Sequence, residues 1–132
     1  MGTLPLFLAA EGAYGRYASE RDFRKALERQ GVDPKAINNL ANLYKEEKNY
    51  DKAIEHYQLA AKNDPMNSMY MNNLAGTLRL KGELDQAMEV LQNSLKLNST
   101  GMATYFNLGM VYKDLKENEK ALDSFKKSIQ VN

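Results

Sequence analysis

The stretch LANLYKEEKNYDKAIEHYQLAAKNDP, residues 40–65, decides how this chain folds. With Ile37 just before it, the stretch carries apolar residues at helical spacing in two stripes: Ile37, Leu40, Ala41 and Tyr44, then Ala53, Ile54, Tyr57, Ala60 and Ala61. Lys48-Asn49 separates the stripes with turn-compatible residues. Asp64-Pro65 ends the second stripe, because the residue before a proline disfavours the helical conformation. The stretch therefore predicts two helices joined by a tight turn.

The same pattern returns twice more at an offset of 34 residues. The matched sets are Leu40, Leu74 and Leu108; Ala41, Ala75 and Gly109; Tyr44, Leu78 and Tyr112; Ala53, Ala87 and Ala121; Tyr57, Leu91 and Phe125. A small residue recurs where two helices would approach closely, and a large apolar residue recurs where it would fill the adjacent space. We therefore predict three helix pairs, at 34–47 with 50–63, 68–81 with 84–97, and 102–115 with 118–131.

The period and the order Leu-Ala, Tyr, Ala, Tyr, Ala, Pro resemble the tetratricopeptide repeat (TPR) family, with repeats at 34–67, 68–101 and 102–132. The second repeat departs from the family pattern at Leu78, where an aromatic is usual, and at Ser99, which replaces the closing proline. The resemblance implies an all-α fold, an α-solenoid of antiparallel helix pairs wound into a right-handed TPR superhelix. It also implies a concave groove lined by the first helix of each pair, in which a non-catalytic protein-protein interaction module binds an extended peptide segment of a partner.

Residues 1–33 match the repeat only in part. Phe23 and Ala26 stand 34 residues before Tyr57 and Ala60, which suggests the second helix of a degenerate repeat. The alternative is an N-terminal capping helix, since helical arrays need atypical ends to shield their exposed faces. We favour the capping helix, with a degenerate repeat as its origin.

Asparagines mark the groove that the family geometry implies. Asn39, Asn73 and Asn107 occupy one matched position in the three repeats, and a side-chain amide offers both an acceptor and two donors to a peptide backbone. The same surface carries Asn38, Asn42 and Asn72. Related superhelical arrays use similar asparagine ladders to hold a peptide. The alternative is family inheritance, because asparagine is the commonest residue at this position.

Two further sets of residues are candidates for selecting the peptide. Lys45, Arg79 and Lys113 form a second ladder, which would favour an acidic peptide or a terminal carboxylate. The alternative is that these cations lie at solvated helix ends, where they favour the helix dipole. Phe106 and Met110 are one turn apart and predict an apolar pocket for an anchoring side chain. The alternative for Phe106 is packing within the repeat interface.

One binding mode of the family is not expected in this chain. The chaperone-binding carboxylate clamp needs two asparagines, which Asn42 and Asn73 match. It also needs three basic residues, and Asn38, Ala103 and Asn107 stand at those positions. We therefore predict that the chain does not bind chaperone tails in the usual mode.

The third repeat predicts an apolar surface with no later repeat to cover it. Leu122, Phe125 and Ile129 match residues that the next repeat would cover in the first two copies. Such a surface usually marks an interface. The alternatives to a peptide-binding adaptor are thus a self-associating scaffold, as a homodimer through the C-terminal repeat, and an excised TPR region of a larger protein.

Composition and motifs argue against other functions. The net charge of +1 gives no reason to expect nucleic-acid binding or a membrane surface, and no apolar run could insert into a bilayer. His56 is the one histidine and is predicted to face outward, so we expect no enzyme, no cofactor and no metal site. The absence of cysteine fits the cytoplasm. Export stays open, because Leu4–Ala10 is apolar although no Lys or Arg precedes it.

Overall fold

A computed structural model describes residues 33–130, and within that range the chain forms six helices. In chain order they are α1 (Pro34–Glu46), α2 (Tyr50–Asn63), α3 (Ser68–Lys81), α4 (Leu84–Leu97), α5 (Met102–Asp114) and α6 (Asn118–Gln130). Each helix ends within one residue of the span predicted from the sequence. The predicted cap or degenerate repeat at residues 1–33 falls almost entirely outside the described residues.

The turn inside each helix pair uses the same left-handed backbone conformation. The residues concerned, 34 positions apart, are Lys48 (φ 63°), Gly82 (φ 96°) and Lys116 (φ 66°). At each turn the next residue donates its backbone N–H to a carbonyl five residues earlier; for Glu83 and Leu78 the N–O distance is 2.8 Å. This Schellman arrangement satisfies carbonyls that the helix end leaves without partners. It reverses the chain tightly, so that the two helices of a pair lie antiparallel.

Charge and capping residues fix where the helices begin and end. The Asn49 side chain accepts the Lys52 N–H at the start of α2, and the Asn67 side chain accepts the Met69 N–H at the start of α3. Each second helix has an acidic residue in its first turn and a lysine in its last turn, which complement the helix dipole.

Small residues allow the helices to pack closely, as the repeat predicted. Ala41, Ala53, Ala75 and Ala87 are completely buried. At the matching position of the third repeat, a Cβ on Gly109 would lie 2.5 Å from the Phe125 ring. The third pair therefore places an aromatic ring where even one methyl group would clash.

The helices form two layers. The first helices α1, α3 and α5 make one layer, and the second helices α2, α4 and α6 make the other. Each second helix packs on its own first helix, and α2 and α4 also pack on the first helix of the next pair. Because α5 contacts α3 directly and a hydrogen bond joins Asn73 of α3 to Asn38 of α1, the first helices lie side by side and share one face.

Candidate functional site

The asparagine ladder lies across the junctions between first helices. The Asn73 amide donates to Asn38 Oδ1 at 3.0 Å, and the Asn107 amide donates to the Asn72 carbonyl oxygen at 3.2 Å. Asn39 is exposed at the matching position of α1. These bonds join neighbouring repeats, so the ladder has a structural role that the sequence analysis did not anticipate.

The same bonds leave part of each amide available. A side-chain amide has two N–H donors and one acceptor oxygen. Among the described residues, Asn73 and Asn107 each use one donor, so one N–H and the Oδ1 remain on each of these half-buried side chains. The inter-repeat bond also fixes which way the amide points. Two of the three ladder positions therefore hold amides whose orientation is fixed by a bond between repeats.

Two predicted groove residues are buried, and the prediction that they face the groove is wrong. Asn38 is 5% exposed and Asn72 is 8% exposed. Asn72 Oδ1 accepts from Thr104 Oγ1 at 2.9 Å and from Ser94 Oγ at 3.2 Å. Thr104 and Ser94 are completely buried, and this hydrogen-bond network links the second repeat to the third. A buried polar group without such partners would be costly, so these bonds account for an asparagine at this site.

Asn42 is held by a buried tyrosine. The Tyr57 hydroxyl donates to Asn42 Oδ1, and Tyr57 is completely buried. Burial raises the pKa of Tyr57 to about 12, so the hydroxyl keeps its proton at neutral pH and remains the donor. This bond fixes the orientation of the Asn42 amide, whose N–H groups remain available as donors.

The three cations of the second ladder are not equivalent. Arg79 Nη1 lies 3.0 Å from Asp114 Oδ2 and forms an ion pair between α3 and α5. Lys113 is exposed near the end of α5. Lys45 lines a cavity of about 360 Å³ between α1, the start of α2 and α3, together with Asn42, Glu46, Lys48, Tyr50 and Leu80. Asp114 neutralises Arg79, whereas Lys45 has no ion pair among the described residues.

The predicted apolar pair in the third repeat is divided between two environments. Phe106 is half-exposed, and its ring centre lies 5.8 Å from that of Phe125. It stands at the position that Asn38 and Asn72 occupy in the other repeats, at the side where the next repeat would pack. Met110 is half-buried one turn later. Phe106 thus belongs to the end surface of the third repeat, and the pocket shared with Met110 stays a prediction.

The predicted self-association residues are also placed differently from one another. Leu122 and Ile129 are 56% and 78% exposed. Phe125 is partly buried, because its ring lies against Gly109 and Phe106. Leu122, Ile129 and Phe106 therefore form an exposed apolar surface, which we call the end face, around a better-packed Phe125.

His56 does not face outward, and that prediction is wrong. It is 2% exposed, its Nδ1 lies 2.8 Å from the Lys52 carbonyl oxygen, and its ring centre lies 5.1 Å from that of Tyr44. Among residues 33–130, no group of three His, Asp or Glu side chains is arranged to hold a metal ion. Within the same range, no helix is both long enough and apolar enough to span a membrane.

Comparison with known families decides the assignment. Models of the tetratricopeptide repeat match residues 34–67, 68–98 and 103–132. The chain belongs to the tetratricopeptide repeat family. The predicted family and the all-α TPR solenoid are both confirmed. The described region is a protein-interaction module, a role that this fold typically performs without catalysis.

Curated relatives share the repeats over a small part of their length. The chain is 32% identical over 107 residues to a probable UDP-N-acetylglucosamine–peptide N-acetylglucosaminyltransferase, SPINDLY, of Hordeum vulgare, covering 74% of this chain and 11% of that protein. It is 31% identical over 105 residues to the BBSome complex member BBS4 of Mus musculus, covering 80% of this chain and 20% of that protein. Because the chain spans a fifth or less of these relatives, the activity in the first name stays with that protein.

Solved structures share the fold. The crystal structure of MamA has a TM-score of 0.74 at 23% identity, over 86% of this chain and 67% of that chain. The first TPR of Spaghetti (RPAP3), bound to the HSP90 peptide SRMEEVD, has a TM-score of 0.71 at 21% identity, over 76% of this chain and 82% of that chain. At these identities, the likeness shows the fold alone.

Proposed function

We propose that this chain is a non-catalytic adaptor that binds an extended peptide segment of a partner protein along the shared face of α1, α3 and α5. The observation that carries the proposal is the asparagine ladder. Asn73 and Asn107 are fixed by bonds between repeats, and each keeps one amide N–H and one oxygen. With the exposed Asn39, they offer matched backbone-pairing groups at the repeat spacing.

Gly76 provides an open position on this face. A Cβ placed on Gly76 would meet only Asn107 Oδ1, at 3.9 Å. Gly76 therefore lies beside a ladder amide with space above it. A peptide backbone can approach closely there, because no side chain projects from the helix.

The same position gives a sharp test. Gly76→Tyr puts a bulky side chain beside the ladder at a residue that takes part in neither of the inter-repeat bonds of Asn73 and Asn107. Gln92→Tyr, at an exposed position of α4 in the other layer, is the matched control. Short random peptides displayed on phage are selected on the wild type, and the enriched peptides are then titrated against both variants by fluorescence anisotropy. We expect Gly76→Tyr to abolish binding and Gln92→Tyr to leave it unchanged; equal binding by both variants would exclude this face.

The end face favours a second candidate, self-association. Leu122 and Ile129 match Met88 and Leu95, which pack against the core of the next junction. A repeat end of this kind can bury its apolar surface against a second copy of the chain. Sedimentation equilibrium over a range of concentrations tests it, with Ile129→Lys as the variant, because Ile129 is mostly exposed whereas Phe125 helps to pack its own repeat. A dimer that Ile129→Lys converts to a monomer would support self-association. A wild type that is monomeric at every concentration would exclude it.

A further inference from the structure

The cavity between α1 and α3 is rich in hydrogen-bond donors. Its lining combines the ammonium groups of Lys45 and Lys48, the Tyr50 hydroxyl and the Asn42 amide, with Glu46 as the one carboxylate. The bond from Tyr57 to the Asn42 oxygen fixes the orientation of that amide, and its N–H groups remain available as donors. A cavity lined mainly by side chains that can donate hydrogen bonds suits an anionic oxygen ligand.

The junction between α3 and α5 already holds a carboxylate at the matching position. Lys45 and Arg79 are matched at the repeat offset, and so are Leu80 and Asp114. At the second junction, the Asp114 carboxylate lies 3.0 Å from Arg79. At the first junction, Leu80 replaces that carboxylate, so Lys45 lacks the partner that its counterpart has. The array thus contains one filled copy and one unfilled copy of the same ion-pair position.

We propose that the cavity binds the side-chain carboxylate of an aspartate or glutamate in the bound peptide. The carboxylate would occupy, relative to Lys45, the place that the Asp114 carboxylate occupies relative to Arg79. The Asn42 amide adds a second donor to the same anion, and Tyr57 acts as a positioning residue that orients this amide. The inference rests on the proposed function, since it names one contact of the peptide in that groove.

Filling the site from within the chain provides the test. Leu80→Asp would place a carboxylate beside Lys45, as Asp114 is placed beside Arg79, and would occupy the site without any peptide. Leu80→Asn has nearly the same shape and no charge, so it is the matched control. Leu80 is substantially exposed, and circular dichroism before selection verifies that both variants fold.

The wild type and both variants are each used to select short random peptides that are fused at their C-terminal ends to the display carrier. Fusion removes the free terminal carboxylate, so any acidic preference reports side chains. We expect Asp or Glu at one fixed peptide position with the wild type and with Leu80→Asn, and loss of that preference with Leu80→Asp. Replacing the selected residue by Asn or Gln should weaken binding to the wild type about tenfold, as for a charge-assisted hydrogen bond.

The failures of the two proposals are distinguishable. Peptides that bind without acidic enrichment, or an enrichment that Leu80→Asp retains, would overturn the acidic site and leave the peptide groove standing. Failure of the wild type to enrich any peptide would overturn the groove itself and this inference with it.

Discussion

Two glycines in the layer of first helices should change the free energy of unfolding in opposite directions when each is replaced by alanine. Both Gly76 and Gly109 lie inside first helices, α3 and α5. Replacing a helix-interior glycine by alanine raises the free energy of unfolding by about 0.5–1 kcal/mol, because alanine loses less backbone entropy on folding. At Gly76 the new Cβ meets only Asn107 Oδ1 at 3.9 Å, an ordinary contact. Gly76→Ala should therefore raise the free energy of unfolding by this full amount.

At Gly109 the new methyl group has no space. Its Cβ would lie 2.5 Å, 2.6 Å and 2.8 Å from Cε1, Cδ1 and Cζ of Phe125, so the ring would have to move. Overpacking of this kind costs about 1–3 kcal/mol, which exceeds the helix benefit. We expect Gly109→Ala to lower the free energy of unfolding by about 1 kcal/mol, the difference between these two effects.

Urea unfolding followed by circular dichroism measures both changes. The slope of the free energy with urea should stay constant, so that a shifted midpoint reports stability alone. Phe125→Leu in the Gly109→Ala background gives a further check, since the second repeat pairs Ala75 with Leu91 at these positions. We expect this second change to recover part of the loss. Equal stabilisation by Gly76→Ala and Gly109→Ala would refute the close packing of Phe125 on α5.

The left-handed turn residues, a buried alanine and Tyr57 give further tests of the same structure. Lys116→Gly should raise the free energy of unfolding by about 0.5–1 kcal/mol, because it relieves the left-handed conformation at φ 66°, and Gly82→Ala should lower it by a similar amount; urea midpoints measure both. Ala87 is completely buried, so Ala87→Leu should cost about 1–3 kcal/mol by overpacking, as a lowered urea midpoint. The pKa of Tyr57 is raised from 10.0 to about 12. Above pH 10 the unfolded chain loses this proton first, so stability should fall by up to about 1.4 kcal/mol per pH unit until about pH 12. In Tyr57→Phe, urea midpoints measured at increasing pH should not show this part of the fall in stability.

The helices and the core could be predicted because their signals are local and repeated. Core residues such as Ala41, Ala53, Tyr57 and Leu91 stand at positions that recur at fixed spacing. The same pattern in each repeat therefore supports the interpretation of the other two. The helix ends could also be predicted, because Pro65 and the turn residues affect the backbone only within a few positions of themselves. The fold could therefore be predicted from the periodicity of the sequence.

The side-chain pairs between repeats could not be predicted, because they depend on particular combinations. Asn72 is buried since Thr104 and Ser94 meet its oxygen, and neither residue type recurs in all three repeats. Arg79 is neutralised since Asp114 replaces the leucine found one repeat earlier. The offset of such bonds is 35 residues rather than 34, so aligning the repeats column by column hides the partners.

His56 shows a related limit. Its position beside Tyr57 on α2 suggested an outward side chain, but the Tyr44 ring of α1 covers it. Burial of a residue at the edge of a helical stripe depends on the size of the opposing side chain. The sequence of one helix does not contain that information.

A peptide bound along the first helices would pair with the asparagine ladder. The most direct measurement is an NMR titration of ¹⁵N-labelled protein with a peptide enriched on the wild type, following the side-chain amide signals. We expect the Asn39, Asn73 and Asn107 signals to shift together at one dissociation constant, while that of Gln92 on α4 does not move. Saturable shifts confined to the second helices or to the end face, with the three ladder amides unchanged, would contradict it.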